Sequence, residues 1–308
     1  MSIPLYSRAS DIRTFALGQG CPMSWLISHL YDDLPDTTWF ITGTAIHEAI
    51  ETGILEDLTL EDMLSEAHMN YVIAMDEAKQ AGREIIQSAA KNPKRTIDTM
   101  DEDIDRITRA WWKWYHPSSD VRLPFLEDYN WPPRVEFRIE LDHSDWDGNH
   151  RTGPPDPSMN LVTTADAIFD GGPKGTEIVT VDWKTGSTAK AHDSQLHTYA
   201  YGLNRLGLRD PRQDYVGFFA HLDHGKEQHV WNYYGDATVA AWIRHTANQK
   251  LAMVDSEQPV INPDWFCKTC PSNRECPVKG TGSRIEIVNR LEAATLLVWP
   301  EEEDLAQT

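Results

Sequence analysis

The sequence predicts a mixed α/β fold with a short central sheet, flanking helices and a helical insertion near residues 55–130. Three observations lead there. RVEFRIEL (134–141) alternates apolar and polar residues, as a half-buried strand does. LVTTADAIFD (161–170) and TEIVTVDWKTG (176–186) are two further strand candidates, joined by GGPKG, a composition suited to a hairpin turn. Runs with helical character surround them: LEDMLSEAHMNYVIAMDEAKQAGREIIQ and DEDIDRITRAWWKWYH before, DSQLHTYAYGLNRL and ATVAAWIRHTANQKLAMV after.

Taken in chain order, residues 1–60 open with extended or irregular chain. TFALGQGCPMSWLISHLY then reads as a short helix around a lone cysteine, Cys21. FITGTAIHEAIETGI follows, and its AIHEAI part suggests a second helix, with His47 in its first turns and Gly43 allowing close approach near its start. The insertion ends in dense aromatics: Trp111, Trp112, Trp114 and Tyr115. These serve either core packing or a stacking platform for unpaired bases. HSDWDGNHRTGPPDPSMN is a polar, Pro/Gly-rich loop. After the helix at 193–206, DYVGFFAHLD and QHVWNYYG return to strand, followed by the amphipathic helix at 237–254. The EEEDLAQT tail (301–308) reads as flexible and acidic, so residues 1–300 are expected to form a single domain.

At 308 residues the chain can bury a substantial core without disulfides. No apolar run reaches eighteen residues, which argues against a membrane span. The start lacks a basic head and apolar stretch, so a cytoplasmic location is the default expectation. The formal charge of −20 opposes broad electrostatic attraction to nucleic acid. That objection is limited, because a bound cation inverts the local sign near carboxylates. No Walker-type phosphate loop is present, so any helicase motor must be another chain.

The acidic residues carry the chemistry. Asp182 and Lys184 are two apart on a strand candidate and so share a face, with Val181 and Trp183 on the other. A hairpin would bring Asp166 beside Asp182. Two carboxylates suit a hard divalent cation held through oxygen. Lys184 would orient a water or stabilise charge on phosphoryl oxygens. Gln195 and Tyr199, four apart, share a helix face. Singly, each has an ordinary structural reading: a surface ion pair, a partly buried histidine, core packing.

As a set they resemble the PD-(D/E)XK nuclease superfamily, in particular its RecB-like branch. GTAIHEAIE is similar to the branch's Gly-x-x-x-His motif (Gly43, His47). TTADAIFD is similar to its Gly-x-x-Asp strand (Asp166), with Thr163 in place of the glycine. VDWKTG is similar to the Asp/Glu-x-Lys strand (Asp182, Lys184), and QLHTYAYGL to the Gln-x-x-x-Tyr helix (Gln195, Tyr199). The resemblance implies a restriction-endonuclease-like core. It implies Mg2+ or Mn2+ held by His47, Asp166, Asp182 and the backbone carbonyl of Trp183, with Gln195 and Tyr199 as positioning groups. Glu136 matches an acidic residue often found upstream in this branch; it is equally readable as a solvated strand residue.

Cys267, Cys270 and Cys276 form Cys-x2-Cys-x5-Cys near the other end of the chain from Cys21. Read alone, three close thiols fit a zinc site completed by a histidine such as His29 or His47, or simply reduced cysteines. Their order around the other motifs resembles the iron–sulfur subset of RecB-like nucleases, including Cas4-like and AddB-type enzymes. That resemblance implies a 4Fe–4S cluster on all four cysteines, joining segments 20–30 and 265–280. Lys268, Arg274 and Lys279 stand beside these cysteines, either to neutralise thiolates or to meet DNA phosphates.

The implied activity is a metal-dependent deoxyribonuclease, an exonuclease on single-stranded DNA ends, in recombination, repair, phage DNA processing or CRISPR adaptation. Partners would be DNA and a helicase, recombination or adaptation protein, with self-association open. A phage-encoded protein acting in the host cytoplasm fits the same reading. The competing expectations are a non-cleaving nucleic-acid-binding or assembly protein on a nuclease-like fold, and an iron–sulfur or zinc protein with merely structural acids.

Overall fold

A computed structural model describes residues 2–87, 97–142, 160–186, 193–255, 270–277, 282 and 284–297. Its centre is a five-stranded mixed sheet of β4 (Arg134–Leu141), β5 (Leu161–Gly171), β6 (Glu177–Lys184), β7 (Gly217–His221) and β8 (Lys226–Val230), in that spatial order. β4 to β6 run antiparallel to one another, β6 and β7 are parallel, and β8 returns antiparallel as an edge. β6 is buried along nearly its whole length because layers cover both of its faces. The strand expected at QHVWNYYG is displaced: β8 closes at Val230, and Asn232 takes a left-handed φ of 60° that ends the extended run.

One face of the sheet is covered by α3 (Thr38–Leu55), α4 (Leu60–Gln80) and α5 (Met100–Tyr115). The expected helical insertion thus supplies α4 and α5 to one of the two helical layers that cover the sheet. Val179, Val181 and Trp183 of β6 and Phe218 of β7 meet Ile46, Ile50, Ile107 and Trp111 there. The other face carries α1 (Ala9–Phe15), α6 (Ser194–Arg205) and α7 (Asp236–Asp255), where Leu196, Tyr199 and Leu203 pack on Ile139, Ala165 and Phe219. Burying apolar faces on both sides of one sheet is what makes this three-layer arrangement stable.

β4 and β5 do not alternate regularly. Phe137, Ile139 and Leu141 pack on the α6 side, whereas Val135 packs on the α5 side. Leu161 and Ala165 likewise face α6, whereas Ala167 and Phe169 face α5. Strict period-two alternation would keep each set on one face. Both strands therefore switch faces at the same level, at Glu136 and Asp166. Glu136 has φ 44°, a conformation L-residues seldom adopt and one that breaks the pleat.

The N-terminal segment and the last described strand meet beside the start of β5, where Ser7 bridges Leu161, and Tyr6, Val162 and Leu297 pack together. β1 (Ser2–Pro4) pairs in parallel with β9 (Thr295–Leu297), and β2 (Asp36–Thr37) pairs in parallel with β3 (Ile85–Ile86). α2 (Pro22–Leu30) packs with α8 (Arg284–Glu292) and the end of α7 around Met23, Leu26, Ile27 and Met253. The expected helix around Cys21 is two helices. α1 ends at Phe15, Gly18 takes φ 63°, and Cys21 is the N-cap of α2 with Pro22 at its first turn. The polar loop, residues 143–159, and the acidic tail lie outside the described residues.

A buried lysine fixes this junction. Lys250 of α7 is wholly buried and donates to the Pro4 carbonyl (3.2 Å), the Tyr6 carbonyl (2.6 Å) and Asp11 Oδ2 (2.7 Å). Its ammonium also sits over the Trp25 ring at 4.7 Å. Removing one partner of a buried pair strands the other, at a cost of about 3–5 kcal/mol. Lys250→Met is therefore expected to lower unfolding free energy by about that much in urea denaturation. The double variant Lys250→Met with Asp11→Asn should recover part of the loss.

Candidate active site

The histidine is positioned by α3. Thr37 caps this helix by accepting from the Phe40 amide (3.3 Å), so it begins well before the AIHEAI stretch and His47 lies in its middle. The expectation of a first-turn position missed the TWFIT run, whose Thr38, Ile41 and Thr42 are buried against the core. Gly43 sits one turn earlier. A Cβ there would meet Thr185 Oγ1, just past β6, at 2.9 Å. The missing side chain lets α3 lie close to the end of the strand that carries Asp182 and Lys184.

The break in β4 and β5 supplies two carboxylates. Donor atoms of His47, Glu136 and Asp166 lie within 4.8 Å of one another. His47 Nδ1 is 3.7 Å from Asp166 Oδ2, and that same oxygen accepts the Trp183 backbone N–H at 2.7 Å. Trp183 was expected to contribute its carbonyl; the contact seen is its amide, which holds Asp166 in place.

β6 and α6 build the other half. Asp182 is almost wholly buried; its Oδ1 accepts from Gln195 Nε2 (2.6 Å) and its Oδ2 is paired with the Lys184 ammonium. Lys184 Nζ also donates to Gln195 Oε1 (3.2 Å) and lies over the Phe219 ring at 5.4 Å. Gln195 Nε2 reaches the Tyr199 hydroxyl as well, at 2.6 Å. Both ends of the Gln195 amide are thus used, which fixes its orientation and, through it, the acid and the lysine. Asp182 lies outside the tight His47–Glu136–Asp166 group, with its oxygens turned to Lys184 and Gln195.

Electrostatics follow from the crowding. Burial pushes the Glu136 carboxyl up to about 8, with help from Asp166, Glu51 and Asp182. Burial and the Asp182 charge also raise Asp166, against the opposing pull of His47, Lys184 and the Trp183 amide. Burial raises Glu51, one turn beyond His47 on α3, too. Crowded carboxyls are relieved by a cation; their oxygens are donors suited to Mg2+ or Mn2+, and the imidazole favours Mn2+ of the two.

Glu136 is the residue for which the sequence left two readings open, and the structure turns it into the cleft. Phe219 beneath Lys184 and Thr185 against Gly43 carried no sequence signal, because both contacts cross between elements. Of the α5 aromatics, Trp111 and Tyr115 are core. Both pack edge-on to Trp183, at 6.1 and 4.9 Å between ring centroids, and so brace the strand between Asp182 and Lys184. Trp112 stacks on His116 at 3.6 Å.

Three of the cysteines are described, and none of the three is in a disulfide. Cys21 stands at the N-cap position of α2 and Cys270 at that of the short 3-10 turn Pro271–Asn273, and Ser24 Oγ lies 3.3 Å from Cys270 Sγ. Cys21 and Cys276 border the same apolar cluster. Arg274 is exposed beside Glu275 at 3.5 Å. Cys267, Lys268 and Lys279 lie outside the described residues.

A family model described as the PD-(D/E)XK nuclease superfamily matches residues 9–277. The match covers most of the chain and includes every residue of the cleft; the chain belongs to this superfamily. No curated protein matches the sequence.

The raised Glu136 carboxyl makes a two-sided prediction. Without metal, the folded state holds a proton that the unfolded chain has released between pH about 4.5 and about 8. Stability should therefore fall as pH rises through that window. Mn2+ affinity should move the opposite way, rising by up to about tenfold per pH unit until Glu136 is ionised. Thermal melts and calorimetric titrations across pH would show both trends, and Glu136→Gln should flatten them.

Proposed function

We propose that this member of the PD-(D/E)XK nuclease superfamily is a metal-dependent deoxyribonuclease acting as an exonuclease on single-stranded DNA ends. The observation that carries the reading is the convergence of His47, Glu136 and Asp166 beside the Lys184–Gln195–Asp182 network.

His47, Glu136, Asp166 and Asp182, with the Trp183 carbonyl, would hold Mg2+ or Mn2+. When bound, the cation would polarise the phosphate and lower the pKa of a coordinated water. Lys184 is the catalytic cation of the chain itself. Its ammonium, oriented by Asp182 and Gln195, presents donors to phosphoryl oxygens as charge develops on them. Gln195 and Tyr199 are positioning residues. Phe219 shields one side of the ammonium and leaves the cleft side to substrate. DNA is the expected partner despite the acidic composition, because a cation would reverse the sign of potential inside the cleft. A helicase, recombination or adaptation protein would supply the strand, in recombination, repair, phage DNA processing or CRISPR adaptation.

The proposal includes a 4Fe–4S cluster on Cys21, Cys267, Cys270 and Cys276. Its support is the docking of α2 on the Cys270 turn through Ser24 and Ser272, and the shared apolar border of Cys21 and Cys276. The cluster would act as a staple whose binding energy is folding energy.

Two experiments test these readings. End-labelled single- and double-stranded DNA, linear and circular, is incubated with Mg2+ or Mn2+. Wild type should degrade linear single strands from their ends, and Lys184→Ala should lose about 10²–10³ in rate. Cleavage of circles would replace the exonuclease with an endonuclease, and inactivity of fully loaded protein would favour a binding role. Protein purified anaerobically should be brown, with iron and acid-labile sulfide that Cys21→Ala depletes. Zinc in their place would overturn the cluster.

A further inference from the structure

A second cleft opens one strand away from Lys184. It has a volume of about 260 Å³ and is lined by Trp114, Tyr115, His221, Leu222, Lys226 and Glu227. Its link to the active site is short and runs through the hydrogen-bonded pairing of β6 with β7. β6 and β7 are parallel, Lys184 and His221 are in-register partners at their ends, and the Leu222 amide donates to the Lys184 carbonyl at 3.0 Å. The cleft and the lysine therefore lie at the same end of the sheet, the cleft on the α5 side and the Lys184 ammonium over Phe219 of the α6 side.

The lining is chemically selective. Trp114 is only partly buried, unlike its neighbours Trp111 and Tyr115, and the part of its ring not packed on the core lines the cleft. Gly225, with φ 57°, turns the β7–β8 hairpin beside the indole; a Cβ there would touch Trp114 Nε1 at 3.4 Å. The Glu227 carboxylate is held at both oxygens, by the Tyr115 hydroxyl (3.2 Å) and His229 Nε2 (3.0 Å), and so presents a fixed acceptor. His221 is buried to 4% exposure; Gln228 is its polar neighbour, but neither ring nitrogen makes a well-formed hydrogen bond. Exposed Lys113, whose ammonium lies over the Trp114 ring at 4.6 Å, and exposed Lys226 put two cations at the rim of this otherwise acidic protein.

We infer that this cleft receives one unstacked nucleobase of the substrate strand and favours bases with an exocyclic amino group over thymine. An aromatic face, an acceptor carboxylate and flanking ammonium groups are what an unpaired nucleotide needs: stacking, a partner for a base amino group, and phosphate neutralisation. The volume is below the range of pockets that enclose drug-sized ligands and suits one planar ring system. This site rests on the nuclease reading, since it is placed by its distance of one strand from Lys184.

The test is binding of labelled oligo-dC, oligo-dA and oligo-dT to the full chain in Ca2+, with cleavage assayed separately in Mg2+. Wild type should bind dC and dA at least about threefold more tightly than dT. Glu227→Gln, whose amide offers both donor and acceptor, should reduce that preference to near unity. Trp114→Leu should weaken all three by about five- to tenfold, as loss of one stacked base does, while its melting curve and Mn2+ affinity stay near wild type. A 5-iodo-dC placed along the strand should crosslink to Trp114 or Tyr115 from one position. Active enzyme with no base preference, and with unchanged affinity in Trp114→Leu, would overturn the base cleft and leave the nuclease reading standing. Failure to bind or cut any oligonucleotide would overturn both.

Discussion

Glu136, Asp166 and Asp182 stand on three consecutive strands and point their carboxyls into one end of the sheet, with Glu51 approaching from α3. Among the described residues, the groups drawn up against them are the His47 imidazole and the Lys184 ammonium. Like charges this close cannot all ionise in a partly buried setting, and the protein meets the conflict unevenly. Asp182 is given a cation and an amide donor. Asp166 is given a backbone amide and a histidine. Glu136 is left to resist ionisation. The asymmetry divides the cleft into a network already satisfied by protein and an open donor group that a divalent cation would complete.

The rest of the architecture holds that crowd in place. The simultaneous face switch of β4 and β5 turns Glu136 and Asp166 out of the alternating pattern, so that neither competes with the apolar core for space. The left-handed backbone at Glu136 is a local cost that functional sites commonly carry. Trp111 and Tyr115 wedge Trp183 from behind, which fixes the amide that grips Asp166 and sets the spacing of Asp182 from Lys184. A long helix contributes His47 because rigid elements place donors more reliably than loops. Gly43 then lets that helix approach the end of the strand.

The N-terminal segment and the last described elements pack on one another and on the body of the fold. Lys250 hydrogen-bonds the N-terminal segment at two carbonyls and one carboxylate, and β1 pairs with β9. α2, which begins after Cys21, and the turn after Cys270 are docked on one another through Ser24 and Ser272.

Much of the fold was legible in sequence for a simple reason. β4, β5 and α6 have strong local periodicity, and their expected and observed limits agree within a residue or so. The Asp182–Lys184 and Gln195–Tyr199 spacings set shared faces directly, because a period of two or of 3.6 needs no tertiary information. Local pattern did not show where α3 begins, since its first turn is rich in β-branched and aromatic residues that packing, not propensity, makes helical. It also left Glu136 undecided, because alternation in RVEFRIEL assumes an unbroken pleat. Only the tertiary structure decided that β4 and β5 break together, that the α5 aromatics split between core and cleft, and that Phe219, Thr185 and the Trp183 amide complete the site. Each of these is a contact between elements distant in sequence, and periodicity carries no information about which faces will meet.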